Sequence, residues 1–120
     1  MSSYKDLLAY KKAFQLAMDI FEITLRFPKE ERYGLTDQIR RSSRSVCANF
    51  AEAFRRRKYP AHFASKLSDA DTENTETEVW LDFSLACKYI TQTEYDKLYA
   101  QKEEIGRLLG DILKTPDKYR

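Results

Sequence analysis

Apolar residues recur at intervals of three and four along most of this chain, the spacing that stacks side chains on one face of an α-helix. Between Tyr4 and Arg26 one stripe is Leu7, Tyr10, Phe14, Ala17, Phe21 and Leu25, with Ala13, Leu16, Ile20 and Ile23 beside it. Lys5, Lys11, Lys12, Gln15, Asp19, Glu22 and Arg26 fill the remaining arc. So wide an apolar face exceeds what one partner helix covers and predicts contact with two or more neighbours. Phe27-Pro28 ends this helix, because the residue before a proline avoids the helical region. Lys29 to Gly34 reads as a connector, Gly34 being the residue there that readily takes positive φ.

A second helix is predicted from Leu35 to Arg57, with Leu35, Ile39, Ser42, Ser43, Val46, Phe50, Ala53 and Phe54 on its core face. Small residues fill its middle and allow close approach of a neighbour, so it should be central and tightly packed. Pro60 suits the first position of a third helix, which can run unbroken to Tyr89. Its apolar contacts concentrate at Phe63, Leu67 and Ala70, then at Val79, Trp80, Leu81, Phe83, Leu85 and Ala86; the stretch between is polar. Thr91-Gln92-Thr93-Glu94 has the form of a capping box and starts a fourth helix, Gln92 to Lys114, whose face is Tyr95, Leu98, Ile105, Leu109 and Ile112. Four helices with short connections predict an all-α, antiparallel up-down-up-down four-helix bundle occupying residues 1–120 as one domain.

Composition agrees. Of 120 residues 42% are hydrophobic and 33% charged, enough for a core and for solubility. Three glycines and three prolines cannot furnish the turns of a sandwich or barrel. No stretch approaches the ~18 apolar residues of a membrane span, and the first residues lack the pattern of a signal peptide. A cytoplasmic protein is the expectation. Lys and Arg total 21 against 19 Asp and Glu, so net charge names no partner.

Candidate chemistry is sparse. His62 is the one histidine, which removes histidine metal pairs and leaves little from which to build a nucleophile–base pair. Glycine-rich phosphate loops and the Glu-x-x-His of di-iron bundles are both missing. The expectation is a protein with no catalytic residues, metal or cofactor. Cys47 and Cys87 sit in apolar helical patterns and read as buried thiols.

Charge is nevertheless uneven. From Asp69 to Asp82 there are six carboxylates and no Lys or Arg; Glu73 and Glu76 share a face there, open to a cation or to arginine partners. From Arg40 to Lys58 there are seven basic residues and only Glu52 is acidic. Arg55-Arg56-Arg57-Lys58, followed by Tyr59, suits contact with an RNA backbone and one stacked base; pairing with the acidic helix is the competing reading. For Arg40, Arg41 and Arg44, structural or inter-subunit pairing with residues such as Glu73 and Glu76 is favoured.

The segment Phe27 to Arg41, with Phe27-Pro28-Lys29-Glu30-Glu31-Arg32-Tyr33-Gly34-Leu35, resembles the signature joining the first two helices of the 23S rRNA intervening-sequence proteins, also called S23-like. Val46-Cys47-Ala48-Asn49-Phe50-Ala51-Glu52-Ala53 is similar to the family's next motif, and Thr75-Glu76-Thr77-Glu78-Val79-Trp80-Leu81 to its third-helix segment. The resemblance spans Tyr4 to Leu113. Ala53 stands where the family usually has glycine, and Cys47-Ala48 where it commonly has Pro-Ser. The resemblance implies a bacterial four-helix bundle assembling as a ring-shaped homopentamer, with RNA or DNA, or a nucleic-acid-processing protein, as the suggested partner. No catalytic residues carry over. The alternative expectation is a structural or protein-interaction scaffold without nucleic-acid binding.

Overall fold

The computed structural model describes residues 3–119. Its helices are α1 (Leu8–Thr24), α2 (Leu35–Arg55), α3 (Pro60–Ala86) and α4 (Gln92–Lys114), with 3-10 turns at Tyr4–Asp6, Lys29–Glu31 and Pro116–Tyr119. Among the described residues there is no strand. Side-chain pairs fix the direction of three of the packings. Along α1, Lys12, Asp19 and Arg26 meet Glu104, Gln101 and Glu94 in turn, so α4 runs opposite to α1. Ser42 meets Thr77 and Glu52 meets Lys66, which sets α2 against α3 in the same sense. Lys102 reaches Glu78 and Tyr95 reaches Asp82 between α3 and α4. Each helix packs on its chain neighbours, and α4 closes back onto α1. The architecture is a four-helix bundle.

Phe63, Ile20, Ile39, Leu67, Leu81, Ile105 and Leu109 fill the core. The core face of α2 is the expected one, Thr36 being buried in addition. As its wide apolar face predicts, α1 packs on both α2 and α4. Its buried residues are Ala9, Ala13, Leu16, Ala17, Ile20 and Thr24, most of the second stripe but only Ala17 of the first. Phe14 and Leu25 are 52% and 61% exposed, so part of the first stripe is surplus, while Leu7 and Tyr10 lean on the core. In α3 the polar middle supplies core residues: Asn74, Thr77 and Ser84 are buried, whereas Val79 and Phe83 face outward. A helical period through Phe63, Leu67 and Ala70 arrives at Asn74 and Thr77, and position overrides polarity because each donates to a backbone carbonyl, although Asn74 Oδ1 is buried without a hydrogen bond among the described residues. Thr77 donates to Glu73 O, Ser84 to Trp80 O, and Asn74 Nδ2 to Lys102 O at 3.0 Å.

The helix ends account for the other differences. Leu7 is extended, with ψ 138, which delays α1 to Leu8. Arg56 bonds back to Ala53 O and Glu52 O, closing α2 at Arg55. Residue 88 ends α3. Lys88 has φ 65, its N–H donates to Leu85 O, and the N–H of Tyr89 reaches back to Ser84 O, the paired bonds of a Schellman motif. Gly34 is at φ −112, so it does not use the left-handed region; its lack of a Cβ makes room for Glu31, whose carboxylate accepts from the Leu35 N–H at the start of α2. The capping box at Thr91 and Glu94 forms as expected.

Two outcomes follow. A lysine in the left-handed region costs roughly 1 kcal/mol that glycine avoids. Lys88→Gly should therefore raise unfolding stability by up to about 1 kcal/mol in urea denaturation. Hydrogen bonding from Arg26, helped by the capping N–H of Thr91, pulls the Glu94 carboxyl from 4.5 down to about 2. A depressed carboxylate stabilises the fold above its ordinary value and loses that contribution as pH falls towards about 2. Melting temperatures of Glu94→Gln should lie below wild type at neutral pH and converge with it across that acid interval.

Candidate nucleic-acid interface

The corner where α2 ends and α3 begins carries the basic run. Arg55 closes α2, Arg56 caps it, and Lys58 and Tyr59 lead into Pro60. Arg55, Arg56, Lys58 and Tyr59 are exposed. Among the described residues none of these three cations makes an ion pair. Tyr59 is 60% exposed and stands edge-on to His62, which leaves the ring available for stacking. Arg57 is different. Its guanidinium lies 4.5 Å from the centre of the Phe54 ring and donates to Phe54 O at 2.9 Å, so it is tied to the carbonyl end of its own helix.

The acidic helix finds its partners elsewhere. Arg41 donates to both carboxylate oxygens of Glu73 at 3.3 Å and to Glu76. Burial pushes the Glu76 carboxyl up, but hydrogen bonds from Arg41 and Trp80 and the Arg41 charge carry it below its ordinary value. That is the direction of an ion pair, opposite to that of a carboxyl kept protonated for acid catalysis. Glu52 bonds Lys66 at 2.9 Å, and Glu78 bonds the buried Lys102 at 2.6 Å. Burial lowers the Lys102 ammonium, yet Glu78 and Glu103 together hold it above its ordinary value. No group of three metal-ligating side chains converges among the described residues.

Among the described residues Arg40 and Arg44, unlike Arg41, pair with no carboxylate of their own subunit. Both guanidiniums lie over the Phe21 ring of α1, 4.9 and 5.9 Å from its centre, and Arg40 Nε donates to Thr24 Oγ1 at 2.8 Å. Their positions on α2 point them at α1, whereas Arg41 alone points at the acids of α3. The thiols also divide. Cys47 is half-buried and burial pushes its pKa up to about 11, while Cys87, the C-cap of α3, is exposed rather than buried. Ala53 is fully buried in the core, so the methyl that replaces the family's glycine faces the bundle interior. No helix among the described residues is long and apolar enough to cross a membrane.

In Arg41→Ala the burial of Glu76 loses its main counterweight. The Glu76 carboxyl should titrate higher than in wild type by NMR, still partly held by Trp80. Stability at pH 7 should fall by no more than about 1 kcal/mol, because the pair is largely solvent-screened.

The family model described as 23S rRNA-intervening sequence protein matches residues 5–111. A crystal structure from Bacteroides thetaiotaomicron VPI-5482, of a protein with unknown function from the S23 ribosomal protein family, is similar with a TM-score of 0.82 and 32% identity. The match covers 92% of this chain and 99% of that one. Among curated proteins nothing matches. With a family model matched over nearly the whole chain and the same bundle in a relative 32% identical, this chain belongs to the 23S rRNA intervening-sequence protein family.

Proposed function

We propose that the protein is a non-enzymatic, homo-oligomeric binder of nucleic-acid backbone, working in the cytoplasm. The observation that carries this reading is the unpaired cation cluster Arg55, Arg56 and Lys58 beside the exposed Tyr59. A protein that used its arginines only to hold its own acids would have spent them on α3. Here Arg41 and Lys102 serve those acids instead. Three exposed cations on one corner suit phosphate oxygens, and the tyrosine suits an unstacked base.

Assembly rests on surplus apolar surface. Leu8, Phe14, Met18 and Leu25 are exposed on α1, and Val79 and Phe83 on α3. A patch on one helix that meets a different patch on the next copy makes a head-to-tail contact, which closes as a ring without open ends. The homopentamer implied by the resemblance is the size we adopt. Repetition around the ring multiplies a modest cluster into several phosphate contacts and gains avidity. A scaffold without nucleic-acid binding, or one that serves a nucleic-acid-processing protein, is the competing outcome.

Titration of labelled structured RNA and duplex DNA at low and moderate salt tests the reading, alongside a variant with Arg55, Arg56 and Lys58 all changed to alanine. Wild type should bind both with little sequence preference. Affinity should fall steeply with salt, the slope of log K flattening by about 0.9 for each duplex contact the variant loses. Arg57→Ala alone should bind nearly as wild type does. No binding at low salt by an intact oligomer leaves the scaffold. Sedimentation at micromolar concentration showing a monomer refutes the assembly.

A further inference from the structure

The connector and the first half of α2 line an open cleft of about 420 Å³, formed by Arg32, Thr36, Asp37, Arg40, Arg41 and Arg44. Four guanidiniums in one concavity with a single lining carboxylate is an unusual concentration of charge. Arg41 is committed to Glu73 and Glu76. Among the described residues Arg32, Arg40 and Arg44 make no ion pair with any carboxylate.

Two of these arginines are held in place. Thr24 is buried, and its hydroxyl is fixed by donating to Ile20 O at 2.7 Å. Its oxygen then accepts from Arg40 Nε at 2.8 Å. With Nε engaged and the plane resting over Phe21, the Nη groups of Arg40 remain for a ligand. Arg44 lies over the same ring, so two like charges are gathered by one aromatic side chain. Gathering them costs repulsion that an anion between them removes.

We infer that this cleft binds a phosphate monoester, its dianionic group seated between Arg40 and Arg44 with Arg32 at the rim. Three cations suit the three terminal oxygens of a monoester, which near neutral pH carries almost two charges; an internal phosphodiester offers two oxygens and one charge. The cleft is larger than phosphate alone and lies in the range of small-molecule sites, so a nucleoside monophosphate or the 5′ end of an oligonucleotide fits the same chemistry. The site is separate from the backbone-binding corner. Arg55 is eleven positions beyond Arg44 on α2, roughly 16 Å along the helix.

The test is calorimetric and NMR titration at constant ionic strength with inorganic phosphate, adenosine monophosphate, and one short oligonucleotide bearing either a 5′-phosphate or a 5′-hydroxyl, chloride serving as the control anion. Saturable phosphate binding that moves the Phe21 ring signals is expected. Arg40→Gln and Arg44→Gln should each weaken it about tenfold or more. Arg40→Lys should fail to restore it, because a lysine keeps the charge but not the fork. Arg44 makes no hydrogen bond to the fold, so Arg44→Gln keeps the test sound even where Arg40→Gln unfolds the protein. The alanine variant of Arg55, Arg56 and Lys58 should bind phosphate as wild type does, which separates this site from the backbone contact. Preference for the 5′-phosphorylated oligonucleotide over the monophosphate assigns the site to a chain end, and equal binding assigns it to a free nucleotide. Phosphate binding no stronger than chloride, or unchanged in both glutamine variants, overturns the inference.

Discussion

Helices α2 and α3 can lie together only because the residues between them are small. Ser42 and Ser43 are buried on α2, Ala70 and Thr77 on α3, and the hydroxyls of Ser42 and Thr77 share a 2.8 Å hydrogen bond across the seam. A larger side chain at any of these positions would push the axes apart. Close approach brings a cost, since short side chains leave backbone and hydroxyl groups away from water. The seam meets it by making every buried hydroxyl bond twice or bond to a carbonyl of its own helix, as Thr77 does with Glu73 and Ser43 with Arg40. The apolar core of Phe63, Leu67, Ile39 and Val46 then packs on either side of this polar strip.

That seam also decides the electrostatics. Once Ser42 faces Thr77, Arg41 stands one position round the helix and must meet Glu73 and Glu76, while Arg40 and Arg44 turn towards α1 and find Phe21. A helix with basic residues on several faces is therefore sorted by geometry into one arginine that neutralises, two that rest on an aromatic ring, and a terminal group that meets only solvent. Arg57 shows the same sorting on a smaller scale, because the free carbonyls of a helix end are a nearer partner than any phosphate.

Much of this was legible in the sequence. Spacing alone places α2 and its core face apart from Thr36, and the capping residues place the start of α4 to the residue. The reading of α1 stopped short: it gave a wide apolar face for two or more neighbours, and α1 does pack on α2 and α4, but it did not say which apolar residues stay outside. Period says which residues share a face, but not which of two adjacent faces the other helices will cover. The reading of α3 failed for another reason: Asn74, Thr77 and Ser84 look like surface residues until their partners are known, and those partners lie on other turns or other helices. The Arg55–Lys58 run was visible as charge, whereas the separation of Arg57 from its neighbours depends on a ring and a carbonyl that only the folded end of α2 brings within reach.

The unequal burial of the two thiols gives the molecule a built-in handle. Alkylating reagents attack the thiolate, and a group held at about 11 supplies almost none near neutral pH. Cys87 stands exposed at the far end of α3, the whole length of that helix away from Tyr59. A fluorophore coupled to the unaltered chain would thus sit at one pole while the basic corner occupies the other. Neighbouring copies in a closed assembly would then report their spacing through energy transfer between dyes, with no engineered cysteine required.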